Sequence, residues 1–120
     1  MKTEIRNKDV FVFFNDKQTL LSSSVKRLEF EDRNEGLVIR INFLLQYPKG
    51  KSIVIEFNKI INYSLNLSDS TDFYNVESVK FFENDSSFYI SLDPYDENET
   101  ISDKDNDFIL AQKILLVTEG

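Results

Sequence analysis

The sequence predicts a mainly β protein: an antiparallel meander of about seven or eight strands forming a curved sheet, sandwich or open barrel, with room for one short helix. Three observations predict it. Apolar residues recur at every second position through the middle of the chain, the period of a strand with one face buried and the other wet. Turn-forming residues punctuate these segments at hairpin-like intervals. The chain of 120 residues, 41% of them apolar and 29% charged, is one domain spanning 1–120 with enough apolar side chains to bury a core.

In chain order, the first apolar run is Val10 to Phe14, bounded by Asp9 and by Asn15 and Asp16. It lacks a cleavage signal and so does not read as a signal peptide, and Phe11, Phe13 and Phe14 are expected in the core or at its edge. Asp16 to Ser24 allows a short helix entered through Asp16, with Leu20 and Leu21 inward and Ser22 to Ser24 closing it. A strand is expected over Val25 to Glu31. The turn Arg33-Asn34-Glu35-Gly36 leads into a second strand, with Leu37, Ile39, Ile41 and Phe43 on one face and Arg40 and Asn42 on the other.

Tyr47-Pro48-Lys49-Gly50, with Pro second and Gly fourth, suits a type I turn. Ile53, Ile55 and Phe57 then alternate with Val54 and Glu56. Asn58-Lys59 reads as a corner, after which Ile61, Tyr63, Leu65 and Leu67 face inward against Asn62, Ser64, Asn66 and Ser68. Ser68 to Asp72 reads as a polar loop. Val76 to Phe82 and Ser87 to Leu92 form a hairpin closed by Asn84-Asp85-Ser86, with Phe88, Ile90 and Leu92 inward. Pro94 cannot donate to a ladder, so the chain leaves the sheet there. Phe108 to Val117 fits either a buried strand or a C-terminal helix capped at Ser102 or Asp103, with Phe108, Ala111 and Leu115 on one stripe.

Function is bounded mostly by exclusion. With no Cys and no His, thiolate zinc sites, disulfides, cysteine nucleophiles and the commonest general base are absent. Ser22, Ser23 and Ser24 have no nucleophile-elbow context. A carboxylate pair for acid and base work needs residues such as Glu56, Asp93 or Asp96 held about 5 to 9 Å apart, which spacing along a chain does not supply. A net charge of −7 disfavours nucleic acid, and three glycines make no phosphate cradle. The chain reads as non-enzymatic, without cofactor or metal, cytoplasmic, and not a membrane partner; a homo-oligomer stays open. Heavy use of Asn, Lys, Ile and Phe suggests a bacterial source. The sequons at Asn62, Asn66, Asn84 and Asn98 read as a by-product of that composition.

The one departure from what folding asks is the stretch 93–107. Seven acids, Asp93, Asp96, Glu97, Glu99, Asp103, Asp105 and Asp107, stand there against a single base, Lys104, so almost all of the net charge is local. Asp103, Asp105 and Asp107 match the first, third and fifth positions of a calcium loop, but Phe108 and Ile114 occupy its sixth and twelfth. Tyr95, ringed by carboxylates after Pro94, is a candidate anchor for a protein partner, with Asp93, Asp96, Glu97, Glu99, Asp103, Asp105 and Asp107 as the surrounding candidate contacts.

Ile90-Ser91-Leu92-Asp93-Pro94-Tyr95-Asp96 and Ser102-Asp103-Lys104-Asp105-Asn106-Asp107-Phe108-Ile109 resemble the tail of small bacterial proteins, some of them similar to the immunity proteins of polymorphic toxin systems. The resemblance covers about a quarter of the chain. It implies a cytoplasmic single-domain binder that neutralises a toxin, and an acidic surface suits a basic target. The alternative is a small-ligand or calcium-binding β domain, holding its ligand on a concave sheet face or at Asp103, Asp105 and Asp107.

Overall fold

Alternation over Leu37 to Leu45 and Ile53 to Phe57 builds the centre of a single antiparallel sheet in the computed structural model, which describes residues 2–14, 18–66 and 74–119. The strands are β1 (Lys2–Arg6), β2 (Ser24–Arg33), β3 (Gly36–Gln46), β4 (Lys49–Ser64), β5 (Tyr74–Asn75), β6 (Lys80–Asn84), β7 (Ser87–Asp93) and β8 (Asn106–Glu119). One short helix, α1 (Val10–Phe13), follows a single 3-10 turn at Asn7–Asp9. The order β5-β2-β3-β4-β8-β7-β6 leaves the sheet open, and β1 adds to the C-terminal half of β8. Two meanders, β2-β3-β4 and β6-β7-β8, are therefore joined where β8 pairs with β4 from Ile53↔Thr118 to Ser64↔Phe108.

The inward face carries Ile39, Ile41, Phe43, Ile53, Ile55, Phe57, Phe88, Ile90, Ile109 and Leu116, all buried in one cluster that Val10 of α1 and Leu20 complete. Phe11 and Phe14 pack their rings on Phe81 of β6. The concave side is thus filled by side chains. On the opposite, convex face, Arg40 bridges Glu31 and Glu56 across three strands, and Arg33 joins both carboxylates. Hydrogen bonds from Arg33 and Arg40 hold the Glu31 carboxyl down at about 2.

Residues 106–119 settle the open choice in favour of a strand, because β4 and β7 sit on its two sides and take its backbone groups. Elsewhere tertiary pairing overrides local pattern. Residues 18–24 form no helix: Thr19 bridges to Tyr47, Leu20 is buried, and Leu21 stays exposed in a turn; Asp16, the expected cap, lies outside the described residues. The helix falls instead on Val10–Phe13. The turn near Pro48 sits one residue early, since Gln46 pairs with Lys49 and leaves Pro48 third, after a cis Tyr47-Pro48 peptide. The expected strand from Val76 to Phe82 is broken at Glu77 and Ser78, with Val76 drawn into the core by backbone bonds to Ser22 and Ser23.

The expected corner at Asn58-Lys59 is instead part of one continuous strand. Lys59 takes a left-handed φ of +53°, yet the flanking pairs Asn58↔Lys113 and Ile60↔Ala111 keep the register unchanged. The register shifts between Ile60 and Asn62, a bulge that leaves Ile61 out of the pairing and 52% exposed. Tyr63 pairs with Ile109, but β3 no longer runs beside it, so the residue is 42% exposed, its ring tilted against Phe30. Leu65 is partly buried, while Leu67 and the loop expected over 68–72 fall outside the described residues.

This difference is measurable. Ile41→Ala, at a fully buried inward position, is expected to cost about 2–5 kcal/mol of unfolding free energy, whereas Ile61→Ala should stay within about 0.5 kcal/mol in the same urea titration. Equal losses at the two positions contradict the bulged register.

Candidate functional site

Pro94 ends β7, and the chain from there to Asp105 folds back over the convex face of β6 and β7 instead of projecting from it. What holds it is Asp105, whose side chain is completely buried. Its Oδ1 accepts from the Tyr95 backbone N–H at 2.8 Å, and its Oδ2 accepts from the Tyr89 hydroxyl at 2.6 Å and the Ser102 N–H at 3.0 Å. Lys80 Nζ reaches the same carboxylate at 3.0 Å. This ammonium, itself 2% exposed in its side chain, also donates to the Thr100 carbonyl at 2.8 Å and meets Asp96 Oδ1 at 2.9 Å. Each of its three N–H donors therefore has an acceptor, as a buried cation requires.

The sheet explains why these groups converge. Lys80 and Tyr89 alternate out of the core-facing set, with Phe81 and Ile90 pointing the other way, so both stand on the convex side of the β6–β7 hairpin. The two-residue turn Asp85-Ser86, both at positive φ, fixes that register. Phe82 and Phe108 flank the Tyr89 ring and keep water from the pair.

The electrostatics follow from that packing. Burial raises the Asp105 carboxyl's tendency to take a proton, but the Tyr89 hydroxyl, the two backbone N–H groups and Lys80 outweigh it and hold its pKa below the usual carboxylate value. Lys80 and the Asn98 N–H hold Asp96 low as well. Burial disfavours the Lys80 ammonium, yet Asp96 and Asp105 leave its pKa above the ordinary lysine value. Burial and the adjacent Asp105 anion push the Tyr89 phenol well up, so it serves as a donor.

The eight sequence-predicted contacts therefore divide. Asp105 and Asp107 are buried, Asp107 at a φ of +49° with Oδ1 accepting from the Asn66 N–H at 2.7 Å. Asp96 is tied to Lys80. Asp93, Glu97, Glu99 and Asp103 are exposed on the same segment as Tyr95, which is 60% exposed and carries Lys104 Nζ 4.9 Å above its ring. Asp93 makes one long bond, 3.3 Å, from Asn106. Sequence reasoning missed Lys80 and Tyr89; the available signal was a lysine set directly before Phe81 and Phe82.

Asp103, Asp105 and Asp107 do not converge: among the described residues no three or more carboxylates are placed to hold a metal ion. Of the residues raised for acid and base chemistry, Glu56 accepts from Arg40 Nε at 2.8 Å and from Asn58 at 3.0 Å, far from the Lys80 pair in sheet order. Among the described residues no helix is long and apolar enough to cross a membrane. Comparison with family models, curated proteins and solved structures finds no match.

Asp105→Asn leaves a buried ammonium short of its counter-charge and is expected to lower stability by about 3–5 kcal/mol in urea unfolding. Because the folded-state pKa values of Asp96 and Asp105 lie below their unfolded values, their contribution is complete above about pH 4 and is lost as pH falls through the folded values. The urea midpoint should accordingly be flat from pH 7 to 5 and fall below about pH 4, less steeply in Asp105→Asn than in the parent chain.

Proposed function

We propose that this chain is a non-enzymatic protein-binding domain of the immunity-protein kind, working in the bacterial cytoplasm and neutralising a basic toxin with the outward side of the 93–105 excursion. The observation that carries this reading is the division of labour within one loop. Asp96 and Asp105 fasten it from beneath, while Asp93, Glu97, Glu99 and Asp103 face water on the same segment as a largely exposed Tyr95.

A loop pinned by two ion pairs and two backbone bonds to one buried carboxylate has little conformational freedom left to lose on association. Its Tyr supplies rigid apolar area of the type that anchors interfaces. The four outward carboxylates, uncompensated by Lys104 alone, attract a cationic surface and raise the rate of encounter. None of these features needs a reactive group.

The test is capture from an extract of the source cell, with the parent chain compared against a variant carrying D93N, E97Q, E99Q and D103N, and against Tyr95→Ala. All five altered groups are exposed, so both variants should fold. The parent is expected to retain a basic protein at low salt, with association slowed about tenfold or more in the fourfold variant and as ionic strength rises. Retention of the same protein equally by all three chains would remove the reading.

A further inference from the structure

On the convex face, away from the acidic loop, the end of β1, the β2–β3 turn and the middles of β4 and β8 enclose a recess of about 360 Å³. Four cations, Arg6, Arg33, Lys59 and Lys113, and two carboxylates, Glu35 and Glu56, line it above an apolar floor that includes Val38 and Leu115. The charges do not cancel pairwise. Glu56 is already held by Arg40 and Arg33, and Arg33 also binds Glu31. Arg6 makes only an exposed contact with Glu4. Lys59 and Lys113 have no carboxylate within 4 Å among the described residues.

Arg6, Arg33, Lys59 and Lys113 outnumber Glu35 and Glu56 in this recess, although the whole chain carries 21 acids against 14 bases. Backbone geometry points the same way. Phe57 faces the core, so strict alternation would aim Lys59 inward too; the left-handed φ of +53° at Lys59 turns it out to the recess beside Lys113. That conformation is unfavourable for a side chain with a Cβ. Asn7, also at +53°, is accounted for by its Oδ1, which accepts from the Ile114 N–H at 3.1 Å and ties β8 just beyond the last β1 pair, Arg6↔Leu115. No such bond explains Lys59.

We propose that this recess binds a small oxyanion of the phosphate type, gripped by the Lys59 and Lys113 ammoniums with Arg6 at the rim. Its volume exceeds that of the anion alone and lies in the range of small-ligand sites, so the apolar floor accommodates the carbon portion of a phosphomonoester. The site does not depend on the partner-binding reading, and the two can fail separately.

Calorimetric titration of the whole chain at fixed ionic strength, with inorganic phosphate and with ribose 5-phosphate as probes, tests it. Saturable binding at or below about 1 mM is expected for at least one probe. Lys59→Asn keeps a residue that tolerates the left-handed backbone, and Lys113→Gln keeps length; each should weaken binding about tenfold. Lys49→Gln, an exposed turn lysine outside the recess, should leave it unchanged. Tighter binding of the ester assigns the ligand as a phosphomonoester, and equal binding assigns the oxyanion alone. Non-saturating heats, or equal weakening by Lys49→Gln, overturn the proposal. Circular dichroism of the variants checks that they remain folded, and if one does not, the other decides the outcome.

Discussion

The buried contact between Lys80 and Asp105 is the constraint on which the shape of the acidic segment depends. A lysine facing outward on an edge hairpin would ordinarily extend into water; here it is sealed beneath the returning chain, and an isolated ammonium in that place would be prohibitively costly. The loop must therefore bring carboxylates to it. Asp105 arrives first in the sense of connectivity, since it stands directly before β8, and its two oxygens then organise Tyr95 and Ser102 from opposite ends of the excursion. A stretch that composition presents as a solvated acidic run is in fact half foundation and half surface.

The same logic governs the distribution of charge over the molecule. Antiparallel pairing places Arg33, Arg40, Glu31 and Glu56 side by side on the convex face, and they neutralise one another. Cations left over gather at the middle of β4 and β8, beside the end of β1, while uncompensated acids gather on the β7–β8 connection. A chain of strongly negative net charge thereby presents a locally basic recess and a locally acidic platform. Net charge alone describes neither, because local fields are set by which side chains the ladder makes neighbours.

Much of the fold was legible along the chain. Strands β2 and β3, the first half of β4, and β7 were readable from their period-two alternation, although β7 is buried on both faces because the 94–105 segment covers its outer one, and the hairpin turns carry positive φ at Gly36 and at Asp85 and Ser86. The failures share a cause. Ile61 and Tyr63 continue a clean alternation, yet the bulge and the end of β3 leave them uncovered: periodicity reports which residues share a face and is silent on whether anything covers it. Leu20 and Val76 lie in irregular segments whose burial comes from contacts remote in sequence.

For the candidate site, the linear string was enough to place the chain among antiparallel β folds without thiol or imidazole chemistry and to locate its excess acid between Asp93 and Asp107. Those properties are sums and periods, which a linear string contains in full. Only the tertiary structure decided which of those acids face water. Asp105 and Asp103 are two residues apart and chemically identical, but one sits over Lys80 and Tyr89 and the other over solvent. That assignment requires β6, β7 and β8 to be in register, a long-range pairing that no local pattern encodes.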